Sequence, residues 1–392
     1  MREPANSEFP DVSLLNLKFY RCAGEVLKDD EAGITGQSIT LNSGLFDKDG
    51  QLLSPPPLPP VTDVTADYVA RYVGFFGREA LAGMKIGVYQ HSAVGRDVLV
   101  RMIEGLGGTA LILGRSERFI PVDTEAIRQE DIDAARHWAA EHHTDAIIST
   151  DGDSDRPLLA NEAGEWLRGD RLGILCSQVL RADHVVTPVS SNTALELTGQ
   201  FAQITRTRIG SPYVIAAMNA ALASGCKRVC GFEANGGFLL GSNIAQDGRV
   251  LAALPTRDAV LPILAALVAS RRTGGLIALE AELPIRVTHS DRIQAFPTEI
   301  SKKLFAHLLA NDEATRDARL ASYFAGPHGG LAEVDLTDGI RMTMLDGVVV
   351  HLRGSGNAPE LRCYTEADDA QTASHANATA LRTVLNQVSN LD

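Results

Sequence analysis

Residues 147–156 read Ile-Ile-Ser-Thr-Asp-Gly-Asp-Ser-Asp-Arg, an apolar strand end that runs directly into carboxylates at alternating positions, Asp151, Asp153 and Asp155. Side chains placed this way can converge on one cation. All the donors are oxygens, with no histidine or cysteine beside them, and that suits a hard ion, magnesium before zinc, which leaves positions for phosphate oxygens. Asp151, Asp153, Asp155 and Glu162 also fall on the ligand spacing of a calcium-binding hand. That loop needs glycine at its sixth position and a helix before it, whereas this chain has Arg156 and a strand. A solvated acidic turn is the remaining alternative, opposed by the repulsion of three like charges held close together.

Working outward from the loop, the pattern alternates. Strands are predicted at Lys85–Tyr89, Ala110–Leu113 and Asp145–Ser149, with helices near Val94–Leu106 and Asp131–His142 between them. A second round follows a helix beginning near Asp170. It has strands near Val185–Val189, Gln203–Thr207 and Arg228–Phe232 and helices from Asn192 and Pro212. The two rounds read as related α/β units. After Gly275 the order changes to strand, helix, then strands at Leu331–Leu336, Ile340–Met344, Val348–Arg353 and Leu361–Thr365, with a helix from Ala370. Asp338-Gly339 and Asp346-Gly347 are hairpin-turn signals between these short runs, so a separate α+β domain is expected.

Upstream, Ser54 to Pro60 read Ser-Pro-Pro-Pro-Leu-Pro-Pro, extended backbone that separates two pieces of chain. A ligand for a proline-recognising domain is the alternative to a spacer. A helical pattern follows from Ala66 to Leu81.

Two more turns carry chemistry. Gly231-Phe232-Glu233-Ala234-Asn235-Gly236-Gly237-Phe238 is a strand entering a glycine-rich turn with one carboxylate and one amide, groups that can reach vicinal hydroxyls. A plain turn fits the same residues. Arg353-Gly354-Ser355-Gly356-Asn357-Ala358-Pro359, with Arg362 on the next strand, can cradle a phosphate: the glycines turn N–H groups inward, and arginines engage phosphate oxygens in pairs. Its alternative is a glycine-rich hairpin turn.

The whole chain sets limits on these readings. At 392 residues it exceeds the usual single-domain size, and 45% apolar with 22% charged residues is a folded balance. A formal charge of −13 argues against nonspecific binding to nucleic acid or an anionic membrane, so an anionic substrate needs a local cationic site. Met1 to Pro10 lack the basic and apolar regions of a signal peptide, and no apolar run reaches the roughly 20 residues of a membrane helix. A cytoplasmic protein is expected. The five cysteines, Cys22, Cys176, Cys226, Cys230 and Cys363, form no pair of closely spaced doublets and read as buried thiols.

Thr150 to Arg156 resembles the DGDxDR metal loop of the α-phosphohexomutase superfamily, which includes phosphomannomutases and phosphoglucomutases. The resemblance implies that Asp151, Asp153 and Asp155 hold Mg2+ and that Arg156 helps to place the phosphoryl group. The 231–238 turn resembles the GExSGH sugar loop, with Asn235 for serine and Gly237 for histidine; Glu233 and Asn235 are then the sugar contacts. Arg208-Ile209-Gly210-Ser211 resembles the KTGH-type segment. Arg208 stands in the lysine's place, able to stabilise phosphate charge but a poor proton carrier. Arg353 to Glu366 resembles RxSGTEPxxRxYxE, so Arg353, Ser355, Gly356, Asn357 and Arg362 are implied to bind phosphate.

Leu17-Lys18-Phe19-Tyr20 with Gly24-Glu25 resembles the LKFY…GE segment that follows the family's catalytic serine loop. The counterpart of that loop is Ser7-Glu8-Phe9-Pro10, with Ser7 as the implied phosphoserine and Glu8 in the histidine's place. The implied fold is a set of repeated phosphohexomutase-type α/β domains, the first one truncated, plus a C-terminal α+β domain. The expected boundaries are 1–82, 83–180, 181–280 and 281–392. The implied reaction interconverts hexose 6-phosphate and hexose 1-phosphate, mannose 6-phosphate and mannose 1-phosphate before glucose phosphates, through phosphoserine and a hexose 1,6-bisphosphate. The rival expectation is a catalytically impaired, sugar-phosphate-binding remnant without a competent serine loop.

Overall fold

The computed structural model describes residues 19–21, 24–309, 312–355 and 359–389. The chain divides into two units between Thr62 and Asp63. In the first, β1 (Tyr20–Arg21) and β2 (Gly24–Glu25) form a short antiparallel ladder, followed by α1 (Lys28–Thr35). The Leu27 N–H donates to the Asp30 carboxylate (2.8 Å), which satisfies a donor left over at the start of α1. Residues 54–60 adopt neither helix nor strand, as a run of residues without N–H donors dictates.

The second unit opens with α2 (Thr65–Phe76). The predicted helix to Leu81 stops early because Gly77 takes φ +101°, a conformation that favours glycine. Then come β3 (Lys85–His91), α3 (Arg96–Gly105), β4 (Thr109–Arg115), α4 (Gln129–His142), β5 (Ala146–Thr150) and β6 (Pro157–Ala160). Their sheet runs β4-β3-β5-β6, with β3 parallel to β4 and β5, and β6 antiparallel to β5.

After α5 (Gly169–Val179) the plan repeats with β7 (His184–Pro188), α6 (Ala194–Leu197), β8 (Gln203–Thr207), α7 (Ser211–Ala223), β9 (Val229–Phe232) and β10 (Phe238–Leu240). The hairpin β11 (Ile244–Gln246) and β12 (Arg249–Leu251) leads to β13 (Leu254–Asp258), giving a second sheet of order β13-β10-β9-β7-β8. The last four strands of that order match the first sheet strand for strand. In both, a hairpin turn follows the third strand.

α8 (Val260–Thr273) is buried nearly all round, from Val260 through Leu267, so it lies inside the unit and not on its surface. It and α5 join one apolar cluster that reaches from Tyr72 to Leu283 and unites both sheets. Gly173 of α5 lies against Phe232: a Cβ there would stand 2.3 Å from the ring's Cγ.

After α9 (Leu276–Glu280) the third sheet forms from β14 (Val287–Ile293), β15 (Leu331–Asp335), β16 (Ile340–Met344), β17 (Val349–Gly354) and β18 (Leu361–Ala367), wholly antiparallel in the order β14-β18-β17-β16-β15. Helices α10 (Thr298–Leu308), α11 (Glu313–Leu320) and α12 (Ala370–Val388) accompany it around a separate core. β16 alternates buried and half-buried positions, the signature of a sheet with one covered face. At the Asp338-Gly339 turn, Gly339 takes φ +81°, and a Cβ there would meet the Leu352 carbonyl at 2.2 Å.

Gly173→Ala tests the α5 packing. The added methyl forces the Phe232 ring or the helix to move, an overpacking cost of about 1–3 kcal/mol in urea unfolding. An unchanged unfolding curve would show that the interface has room to spare.

Candidate functional site

Every residue of β5 is buried, and the strand ends at Thr150, where the buried His91 braces it (Nε2 to the Thr150 carbonyl, 2.8 Å). The turn that follows has Ser154 at φ +64°. The N–H groups of Asp155 and Arg156 donate to Asp151 Oδ1 (3.2 and 3.1 Å), and the Gly95 N–H ahead of α3 donates to Ser154 Oγ (2.8 Å). The loop is therefore held from inside and from the neighbouring helix. Asp151, Asp153 and Asp155 each offer a carboxylate oxygen, and these atoms lie within 4.8 Å of one another, the one such cluster among the described residues.

Burial, the Asp153 hydrogen bond and the charges of Asp153 and Asp155 push Asp151 up to about 7, against the pull of Arg156. A donor set of oxygens alone, crowded by its own charge, fits a hard divalent cation. Arg156 lies on this cluster, with Nε 3.4 Å from Asp151 and 3.7 Å from Asp155.

The equivalent turn of the second sheet carries Glu233 and Asn235 between β9 and β10. Glu233 is buried, with its N–H donating to the Gly237 carbonyl (3.1 Å). Asn235 Oδ1 accepts from the Gly237 N–H (2.9 Å), so its carbonyl end shapes the turn, while its backbone carbonyl accepts from Thr124 Oγ1 (3.0 Å). Gly236 takes φ +90° and approaches the first sheet closely: a Cβ there would meet Pro157 Cγ at 2.7 Å.

One residue that the sequence did not point to joins the two turns. Arg257 of β13 places Nη2 3.0 Å from Asp155 Oδ2 and Nη1 3.9 Å from Glu233 Oε2. Its neighbour Asp258 accepts from Tyr68 Oη (2.7 Å) and from Tyr72 Oη of α2. Burial foremost, then the Asp258 charge, raises both phenols, so they remain donors. Nothing in Pro255-Thr256-Arg257-Asp258 marks Arg257; only the pairing of β13 with β10 brings it to the site.

In the third sheet, Arg353 of β17 stands opposite Arg362 of β18, two cations facing each other across neighbouring strands. Carboxylates answer both. Asp338 pairs with Arg353 (3.0 Å), and Glu360 accepts from Arg362 Nε and Nη2 (2.8 and 2.6 Å) and pairs with Arg292 (3.4 Å). Ser355 is buried, its N–H donating to the Glu360 carbonyl (2.9 Å). Asp338 also accepts from the Ile209 N–H (3.0 Å), and Arg208 donates to the Thr337 carbonyl (3.2 Å), so the 208–210 turn docks beside Arg353. Charges of this region and of the metal loop both act on Glu125. Its side chain is open to water yet densely surrounded, so desolvation raises its carboxyl, while Arg168, Arg156 and Arg362 all act to lower it. Ser7, Gly356 and Asn357 lie outside the described residues.

An acidic oxygen cluster, a buried carboxylate on a glycine turn and a facing pair of arginines are carried by two repeated α/β sheets and an antiparallel sheet, donor sets of the kind that suit a hard cation, hydroxyls and an anion. Residues 168–284 match the family described as phosphoglucomutase/phosphomannomutase, alpha/beta/alpha domain III. The chain is 44% identical over 370 residues to a phosphomannomutase of Sinorhizobium fredii, covering 93% of this chain and 75% of that one. It is 42% identical over 369 residues to a phosphomannomutase of Salmonella muenchen, covering 94% and 74%. The fold is similar to a solved Burkholderia thailandensis phosphoglucomutase/phosphomannomutase family protein, with a TM-score of 0.62 at 18% identity, covering 83% of this chain and 65% of that one. The chain belongs to the phosphoglucomutase/phosphomannomutase family, phosphohexomutases of the isomerase class. It spans about three quarters of those phosphomannomutases and just under two thirds of the solved structure. No described helix is long and apolar enough to cross a membrane.

His351, beneath the arginine pair, gives the region its own pH dependence. Burial lowers its imidazole to about 4, against the hydrogen bond to the Asp338 carbonyl (2.5 Å). The unfolded chain takes up this proton near pH 6.5 and the folded chain only near 4. Stability therefore falls as the pH drops from about 6.5 to about 4, by about 3 kcal/mol in all. His351→Gln removes that component, so its unfolding free energy should lose about 3 kcal/mol less than wild type between pH 7 and 4. Parallel pH profiles would contradict the assignment.

Proposed function

We propose that this chain interconverts hexose 6-phosphate and hexose 1-phosphate, mannose phosphates before glucose phosphates, through a hexose 1,6-bisphosphate. The supporting observation is that Arg257 joins the metal-type carboxylates to the sugar-type carboxylate, at 3.0 Å from Asp155 and 3.9 Å from Glu233. Placed together, these turns suit one small ligand bearing both hydroxyls and a phosphoryl group.

In this reading Asp151, Asp153 and Asp155 hold magnesium, which when bound supplies charge neutralisation to a phosphoryl group in transfer. Arg156 places that group, Glu233 accepts from vicinal hydroxyls, and Asn235 frames the turn. Arg353, Ser355, Gly356, Asn357 and Arg362 take the phosphate that is not reacting. Ser7 is the proposed phosphoryl donor: its O–P bond breaks as a sugar hydroxyl forms one, and the second phosphate of the bisphosphate later returns to the serine. The proton that the accepting hydroxyl loses ends, in net, on the serine oxygen that departs. An arginine is a poor proton carrier, so Arg208 is assigned to stabilising phosphate and not to taking that proton. Boundaries near 82, 180 and 280 divide the chain into four proposed domains, and the cytoplasm is its proposed location.

A mutase assay with mannose 6-phosphate and added hexose 1,6-bisphosphate tests the reading, beside calorimetric titration with mannose 1-phosphate. Turnover supports it. Binding without turnover would leave a sugar-phosphate-binding role and remove the mutase.

Asp153 is exposed, so Asp153→Asn removes a ligand charge without opening the core. Activity should fall by about two or more orders of magnitude at an unchanged melting temperature, and magnesium should support more activity than zinc. Full activity in the variant would sink the metal assignment. Arg353→Lys keeps the charge but loses the planar fork, which should weaken mannose 1-phosphate binding by about 1–3 kcal/mol. Equal affinities in two equally folded proteins would take the loop out of the binding site.

A further inference from the structure

We infer that Arg257 is a positioning residue of the hexose-phosphate site: it fixes the Glu233 carboxylate relative to the metal-type loop and so sets the affinity for a phosphorylated sugar. The inference rests on the hexose-phosphate reading above. Arg257 enters from β13, on the far side of β10 from β9, the strand that leads into the Glu233 turn, and its stem passes close to Gly237. A Cβ on Gly237 would stand 3.0 Å from Arg257 Cδ and 3.1 Å from its Cγ. The glycine is therefore the space through which the arginine passes. Gly237 has no left-handed backbone to excuse it; a Cβ there would crowd the arginine stem first and Asn235 Oδ1 next, at 3.2 Å, and these close approaches account for a residue without a side chain.

The guanidinium then spans two carboxylates on two different sheets, Asp155 at 3.0 Å and Glu233 at 3.9 Å, with only 12% of the side chain exposed. The planar fork lies within hydrogen-bond range of Asp155 and within ion-pair range of Glu233, two separate positions that a lysine's single ammonium cannot match. Behind it, Asp258 is anchored by Tyr68 and Tyr72, so β13 itself is pinned to α2. The arm is thus held at its base, guided along its stem and committed at its tip. Glu233 is buried, and a carboxylate that must accept from two sugar hydroxyls in one orientation gains from having that orientation set before the ligand arrives.

A double-mutant cycle reads this coupling. Wild type, Arg257→Met, Glu233→Gln and the double variant are titrated with mannose 1-phosphate in magnesium by calorimetry, and each is titrated with magnesium alone. Arg257→Met should weaken mannose 1-phosphate about tenfold in the wild-type background and less than about twofold when Glu233 is already glutamine. Magnesium affinity should stay within about threefold throughout, because the Asp151, Asp153 and Asp155 oxygens remain. Gly237→Ala approaches the same arm without touching its charge and should reproduce much of the loss only when Arg257 is present. It also serves if Arg257→Met does not fold. A wild type that binds mannose 1-phosphate, with Arg257→Met or Gly237→Ala costing the same factor in both backgrounds, overturns the inference alone. A collapse of magnesium affinity alongside that of the sugar phosphate would make Arg257 a general scaffold residue and also overturns it. A wild type that binds magnesium but no mannose 1-phosphate overturns the hexose-phosphate reading and the inference with it.

Discussion

Three carboxylate oxygens within 4.8 Å of one another repel, and the structure around them is organised to contain that repulsion. At such separations each charged pair costs about 3 kcal/mol in the effective dielectric of a protein surface. The immediate consequence is Asp151, pushed up to about 7 by its burial and its neighbours. Backbone N–H groups of Asp155 and Arg156 oppose this by donating to Asp151, and Arg156 and Arg257 bring positive charge to the same oxygens. None of these partners belongs to the strand that delivers the loop. β5 supplies rigidity, and the charge balance comes from the turn and from β13.

The repeated sheet explains how such partners arrive together. The metal-type turn follows β5 and the Glu233 turn follows β9, and these are the same hairpin in two copies of one β-order. The Glu233 turn packs so closely on the start of α5 that glycine is required on both sides of that contact. A Cβ on Gly169 would stand 2.4 Å from the Asn235 carbonyl carbon, and one on Gly236 would stand 2.9 Å from Gly169 Cα. A backbone-to-backbone approach of this kind leaves little freedom for the Glu233 turn to shift. Arg257 can therefore bridge fixed points, and an ion pair between fixed points loses less side-chain entropy than one between mobile chains.

What the sequence made legible follows from where its signals are strong. The β5 strand and its carboxylates stood out because apolar run and charged turn meet at a single residue, and the Ile340–Met344 strand because its burial alternates. Residues 238–258 stayed unassigned because the strands there are three to five residues long and the β10–β13 register shifts between Phe238 and Leu240, which breaks any period of two. Arg257 was hidden with them. Asp338 was legible only as half of a turn signal, yet its carboxylate joins Arg353 to the Ile209 N–H, a contact between segments 129 residues apart. Glu360, beside the phosphate-type turn, could not be told from any surface acid until β18 placed it against Arg362. Of the cysteines read as buried thiols, Cys176, Cys230 and Cys363 are buried, Cys226 is only half-buried and Cys22 lies outside the described residues; desolvation pushes the Cys230 thiol up to about 12.

The arginine turn shows the same physics with the signs reversed. Arg353 and Arg362 face each other across β17 and β18, an arrangement that costs free energy unless anions attend it. Asp338 and Glu360 attend it in the protein alone, each with a second cationic or N–H partner of its own, Ile209 in one case and Arg292 in the other. An arriving phosphate competes with these carboxylates for the same guanidinium protons, so its net gain is the difference between two charge-assisted sets of hydrogen bonds. In the proposed phosphate role, a dianion with three free oxygens would gain more from that exchange than a monoanion, which favours phosphate over a carboxylate ligand. Because Asp338 also holds the 208–210 turn, any anion that draws Arg353 away from it changes the charge beside Arg208, and the two segments respond to one binding event together.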